Sequence, residues 1–208
     1  MGKKAGVIKH CAVFVYILIL CSLLITGCGA GSDNKEKESA ADVFAERFPK
    51  ADLSDYDALK DYDKELKFVD VTVLDVAKLM EEKECFAVFA SFAKCPWCNL
   101  VVSSLNDAAI EEDVTVLYID TRKNPEWNSN IEIDDYDKFT ELFGDRLELD
   151  SDGIPHLYTP HVFFVKGGKL VADHQGAIPG IDNPNTVLSD DQKEELKNVY
   201  SECLKKIK

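Results

Sequence analysis

The spacing of apolar residues changes along this chain in a way that separates strands from helices. From Leu66 to Val71 apolar and polar positions alternate, which reads as a strand. Thr72 with Asp75 three residues later resembles a capping box, and Val76, Leu79 and Met80 then trace one helical face to about Lys83. Cys85–Phe92 is a nearly unbroken apolar run and predicts a buried strand. A helix follows from Pro96 to about Glu111, burying Val101, Leu105 and Ala108 or Ala109; a proline's missing N–H costs nothing in the first turn. Val114–Asp120 is another buried strand, and Asp134–Phe143 a helix with Tyr136, Phe139 and Phe143 on one side and Gly144 as its stop. His161–Val165 and Leu170–His174 read as a hairpin around the tight turn Lys166-Gly167-Gly168-Lys169. Ser189, with Gln192 three later, caps a last helix whose inner face carries Leu196, Val199, Tyr200, Cys203, Leu204 and Ile207.

This order predicts an α/β domain over residues 66–208, with a parallel β-α-β half, an antiparallel hairpin and a mixed central sheet covered by helices on both faces. Residues 43–65 read as an N-terminal extension. Val43, Phe44 and Phe48 mark a short helix ended by Pro49, and the run Asp52–Asp63 is a solvated acidic face with no assigned function. Residues 121–158 form a long insertion ahead of the hairpin. It is either a lid or wall whose acidity would favour basic partner segments, or a plain solvated loop.

The first residues read as an address. Lys3, Lys4 and Lys9 precede an apolar or small stretch, Cys11–Ile25, of about fifteen residues, which suits a signal peptide and is short for a spanning helix. An uncleaved membrane anchor is the rival reading. Ile25-Thr26-Gly27-Cys28 resembles a bacterial lipobox. That resemblance implies a lipoprotein signal peptide over 1–27, lipidation of Cys28, and a protein anchored to the extracytoplasmic face of the cell membrane. Residues 28–42 are small, polar and charged, as in a flexible tether. The chain carries 24 Lys+Arg against 38 Asp+Glu, a net charge of −14. Loss of the signal removes three lysines and no acid, leaving 21 against 38, near −17. Such a charge repels phosphate backbones and anionic head groups, which argues against nucleic-acid binding.

The candidate chemistry lies in Cys95-Pro96-Trp97-Cys98. A buried strand that delivers two thiols to a helix N-terminus makes a reversible dithiol/disulfide switch, because the helix end favours the reactive thiolate. A structural zinc half-site would need a second pair of ligands at metal spacing, and no second CxxC exists. Lys94 next door adds positive charge that favours ionised Cys95, and Cys95 is expected to be exposed. Cys85 and Cys203 are read as two buried free thiols, with pairing between them the alternative.

With the CxxC at the second strand-to-helix junction, residues 66–208 resemble the thioredoxin-like family. The resemblance implies a cis peptide bond at Thr159-Pro160, immediately ahead of the hairpin, that faces the cysteines and offers the Thr159 backbone to an extended substrate. It implies a thiol–disulfide oxidoreductase without cofactor, in which Cys95 attacks and Cys98 resolves the mixed disulfide. Its partners would be protein or peptide thiol or disulfide clients and a membrane or extracytoplasmic electron partner. Trp97 is either a rim aromatic shielding the sulfurs or a flat substrate contact. One departure stands out: many thioredoxins hold a buried acid six residues before the first cysteine, where this chain has Phe89, so water or another group must take the proton. The lipidated domain with CPWC also resembles the bacteriocin-transport-accessory type. A second function class is a thioredoxin-fold lipoprotein that binds metal or peptide without redox turnover, using the cysteines with His156 or His161. Glu148–Gly153 has a faint calcium-loop look but lacks the terminal bidentate Glu, since Thr159 stands there.

Overall fold

The computed structural model describes residues 40–122 and 133–208. The signal segment, Cys28, residues 28–39 of the tether and residues 123–132 of the insertion lie outside them.

Five strands form one sheet in the order β1-β3-β2-β6-β7. They are β1 (Phe68–Asp70), β2 (Phe86–Ser91), β3 (Val116–Asp120), β6 (His161–Lys166) and β7 (Lys169–Gln175). β1 and β2 run parallel to β3, whereas β6 is antiparallel to β2 and β7 to β6. Among the described residues the α-helices are α1 (Ala40–Arg47), α2 (Val73–Glu81), α3 (Pro96–Glu111), α4 (Tyr136–Phe143) and α5 (Asp190–Ile207).

The apolar run of β2 follows from its central place, since both faces are covered. Ala87 and Phe89 face a core made with Val101 and Leu105 of α3 and Leu196, Tyr200 and Leu204 of α5. Phe86, Val88 and Ala90 face the opposite core, with Val76 and Leu79 of α2 and Phe139 and Phe143 of α4. Side chains alternate with period two, so a one-residue slip of β2 would exchange the two sets. The pairing Phe89↔Tyr118 fixes the register against β3, and it sets those two rings 6.1 Å apart. The edge strand β7 is half-buried.

Local signals act where the sequence places them. Thr72 with Asp75, and Ser189 with Gln192, each close a reciprocal capping box, a device worth about 1 kcal/mol per cap. The hairpin turn holds Gly167 at φ +58° and Gly168 at φ +74°, the left-handed backbone that a two-residue hairpin turn demands. At Gly168 a Cβ would also meet the Met80 carbonyl oxygen at 2.1 Å.

α4 stops at Gly144 as expected, through a right-handed backbone at φ −54° that leads into a 3-10 turn, Gly144–Arg146. Two features differ from expectation. The insertion contains a small antiparallel pair, β4 (Glu148–Leu149) with β5 (Pro155–His156), that no periodicity announced. The stretch 43–65 is woven into the domain. Phe44 enters one core, Ala51, Leu53 and Tyr56 enter the other, and Lys50 bridges to Val69. The acids of Asp52–Asp63 stay on the outside while Leu53 and Tyr56 turn inward.

Candidate active site

Strand β2 ends at Ser91, and the chain turns through Phe92-Ala93-Lys94 so that Cys95 caps α3 and Pro96 begins it. The Cys95 N–H donates to the Phe92 carbonyl at 3.1 Å. Asn99 braces the turn: its amide donates to the carbonyls of Ala93 at 2.7 Å and Cys95 at 3.0 Å. Its side-chain oxygen accepts from the Ala58 N–H at 3.0 Å. Asn99 carries no motif signal, and its role emerges only once residues 43–65 are folded against the helix.

Cys95 Sγ accepts a hydrogen bond from the Cys98 N–H at 3.3 Å. Across from it lies Thr159, whose peptide bond to Pro160 is cis. The Thr159 hydroxyl donates to Cys95 Sγ at 3.8 Å, and the thiol can donate to the Thr159 carbonyl at 3.7 Å. Five sequence-predicted positions, Cys95, Trp97, Cys98, Thr159 and Pro160, thus meet at one end of the sheet. All four cysteines of the described residues are free thiols.

The electrostatics divide the pair. Cys95 is lowered to about 7, chiefly by the hydrogen bond from the Cys98 thiol, with burial opposing and the N–H groups of Cys98 and Trp97 and the Thr159 hydroxyl adding to the effect. Cys98 is raised well above the usual thiol value, first by burial and then by the proximity of Cys95. One sulfur is a thiolate near neutrality and its neighbour a thiol, the division that a two-step exchange uses.

One expectation needs correcting. Cys95 is not exposed; it is only 5% accessible, because Thr159 sits across its sulfur. Lys94 is exposed, and its charge is felt at Asp57. The donors that lower Cys95 are those of Cys98, Thr159 and Trp97. Trp97 is half-buried and packs on the core that holds both cysteines.

The histidines turn elsewhere. His161 bonds Asp173 at 3.0 Å and stacks on Phe163, on the sheet face opposite Cys98, while His156 packs on Tyr158. Among the described residues no group of three His, Cys, Asp or Glu side chains is placed to hold a metal ion. The calcium-like loop is closed on itself: Asp150 Oδ1 accepts from the N–H groups of Asp152 and Ile154 at 2.9 Å. Cys203 is buried, and the half-buried Cys85 accepts from the Gly167 N–H at 3.3 Å.

No family model and no curated protein matches the chain. Solved structures similar to it include a thioredoxin from Aeropyrum pernix, 20% identical, over 62% of this chain and 85% of that one, at a TM-score of 0.35. A thioredoxin from Trypanosoma brucei brucei is 16% identical over 64% and 89%, at 0.37. A thioredoxin-fold protein from Helicobacter pylori is 12% identical over 76% and 100%, at 0.31. The sheet order, the parallel half joined to an antiparallel hairpin, and helices on both faces define the architecture. The fold is thioredoxin-like. A thioredoxin-like sheet with a closely spaced dithiol at the start of α3 supports a thiol/disulfide redox role.

Proposed function

We propose that the protein is a membrane-tethered, extracytoplasmic thiol–disulfide oxidoreductase acting on protein or peptide clients. The observation that carries this reading is the Cys98 N–H bond to a Cys95 sulfur that also faces Thr159. In the reducing direction the Cys95 thiolate attacks a client disulfide; a Cys95–client S–S bond forms and one client thiolate leaves. Cys98, once deprotonated, attacks the Cys95 sulfur and releases the second client thiolate. Two electrons have passed to the client, and Cys95 and Cys98 are joined. A dithiol electron donor restores the pair, and the same steps reversed oxidise a client.

The insertion supports a client preference. Leu149, Ile154 and Tyr158 are exposed apolar residues on and beside β4 and β5, directly ahead of Thr159. Asp150 and Asp152 accompany them. This wall suits extended segments that mix basic and apolar side chains. The tether rests on the lipobox-like Ile25–Cys28.

Replacing Cys95 with Ser should abolish exchange, and replacing Cys98 with Ser should trap clients as mixed disulfides that mass spectrometry identifies. A C95S protein exchanging at the wild-type rate would refute the assignment. Cys28→Ala should move the protein out of the membrane fraction; retention there would remove the lipid anchor from the proposal.

A further inference from the structure

The resolving step has a requirement that the dithiol alone does not meet. Cys98 is fully buried, and before it can attack, its proton must leave through the protein. The position six residues before Cys95 is Phe89, which is itself fully buried among Phe68 and Tyr118. A phenyl ring accepts no proton.

Polar atoms do reach the sulfur from the same face of the sheet. Ser91 follows Phe89 by two residues on β2, so it points to the same side, toward Cys98, where its hydroxyl favours the ionised sulfur. Ser91 Oγ is 2.7 Å from Tyr56 Oη, and Tyr56 Oη is 3.3 Å from Tyr118 Oη. In both contacts either oxygen can be the donor. All three residues are buried, Ser91 at 0%, Tyr56 at 1% and Tyr118 at 4% accessibility. Tyr118 lines a cavity of about 300 Å³ whose wall also includes Asp70 and Asp120, and Asp70 is exposed. The line runs from the sealed sulfur to an acidic, solvent-facing recess. Burial raises both phenols, so they stay neutral and act as donor-acceptors.

We infer that Ser91, Tyr56 and Tyr118 form a hydroxyl relay that carries the Cys98 proton to the Asp70/Asp120 recess during resolution of the mixed disulfide. The inference rests on the thiol-exchange reading and specifies how its second step proceeds. The Cys98 S–H donates to Ser91 Oγ; Ser91 passes its own proton to Tyr56, Tyr56 to Tyr118, and Tyr118 to water or carboxylate in the recess. Each hydroxyl gains one proton and gives one up, so none is left charged. The Cys98 thiolate then attacks the Cys95 sulfur. Every hydroxyl now points back toward the thiolate, which is the arrangement that stabilises it. Ser91 is the hydroxyl that acts directly on the reacting sulfur. Tyr56 and Tyr118 act through it, as positioning residues that extend the line to solvent.

The test uses the reduced full chain and a sub-stoichiometric amount of 5,5′-dithiobis(2-nitrobenzoate) in stopped flow. Attack by Cys95 releases one thionitrobenzoate, and attack by Cys98 on the resulting mixed disulfide releases the second. Tyr56→Phe and Tyr118→Phe should leave the first phase unchanged and slow the second about 10- to 100-fold, the range of a lost proton-transfer group. Their second phase should also need a higher pH to reach half its maximum, and its solvent deuterium isotope effect should change. A loss of stability alone would move none of these while the first phase is intact. Ser91→Ala should behave likewise, and Ser91→Thr, which keeps the hydroxyl, should recover the rate. A second phase equal to wild type in both phenylalanine variants would overturn the relay while leaving thiol exchange standing. An absent first phase in the wild type would overturn both.

Discussion

Thr159 and Cys95 meet across the site, the threonine hydroxyl 3.8 Å from the cysteine sulfur and its carbonyl oxygen 3.7 Å from it. The hydroxyl is one of the donors that hold the Cys95 pKa down. Thr159→Val keeps the shape and removes the donor, so the Cys95 pKa should rise. Thiolate absorbance near 240 nm across a pH titration checks this; an unchanged midpoint would take Thr159 out of the electrostatics.

Stability of the reduced protein should rise with pH between about 7 and 9. Cys95 is lowered from 9.0 to about 7 in the folded protein. Within that window the unfolded chain still holds the proton and the folded one has released it, so stability increases by about 2 kcal/mol and is lost again as pH falls through 7. Urea unfolding of reduced wild type and Cys95→Ala at both pH values reads the difference, which should vanish in the variant.

Acid should weaken the fold by a second route. Burial lowers His161 and His174 below the usual 6.5, with Asp173 opposing the shift at both. The unfolded chain therefore takes up protons first, and the stability these two contribute is present above pH 6.5 and lost below it. Unfolding free energies measured at pH 7.5, 6.0 and 5.0 should fall more steeply in wild type than in a His161→Gln/His174→Gln double variant.

The two turn glycines should differ. Gly167→Ala meets nothing within 4 Å and carries only the left-handed backbone cost, about 1–2 kcal/mol. Gly168→Ala adds the collision with the Met80 carbonyl and should cost more. Thermal unfolding of the pair ranks them, and equal losses would mean the β6–β7 turn moves away from α2 freely.

Much of the fold was legible because its signals are local. The Thr72–Asp75 and Ser189–Gln192 boxes, Pro96 at the start of α3 and the double glycine all act within a few residues of themselves. The alternation in β2 assigns Phe89 and Ser91 to one face, and that much points Ser91 toward the cysteine helix. What alternation does not give is the partner across the gap. Tyr56 lies in an acidic stretch that reads as surface, and it reaches Ser91 only because Leu53 and Tyr56 turn inward together. His161 shows the converse: its closeness in sequence to Pro160 suggested the thiols, but strand parity puts it on the other face, beside Asp173. The burial of Cys95 depends likewise on Thr159, a contact across 64 residues.

Alkylation of the reduced full chain with iodoacetamide from pH 5 to 10, with each cysteine followed by mass spectrometry, tests the division of labour between the two thiols. Cys95 should react with a midpoint near pH 7 while Cys98 stays unmodified until well into the alkaline range. Equal reactivity of the two, or modification of Cys98 ahead of Cys95, would contradict it.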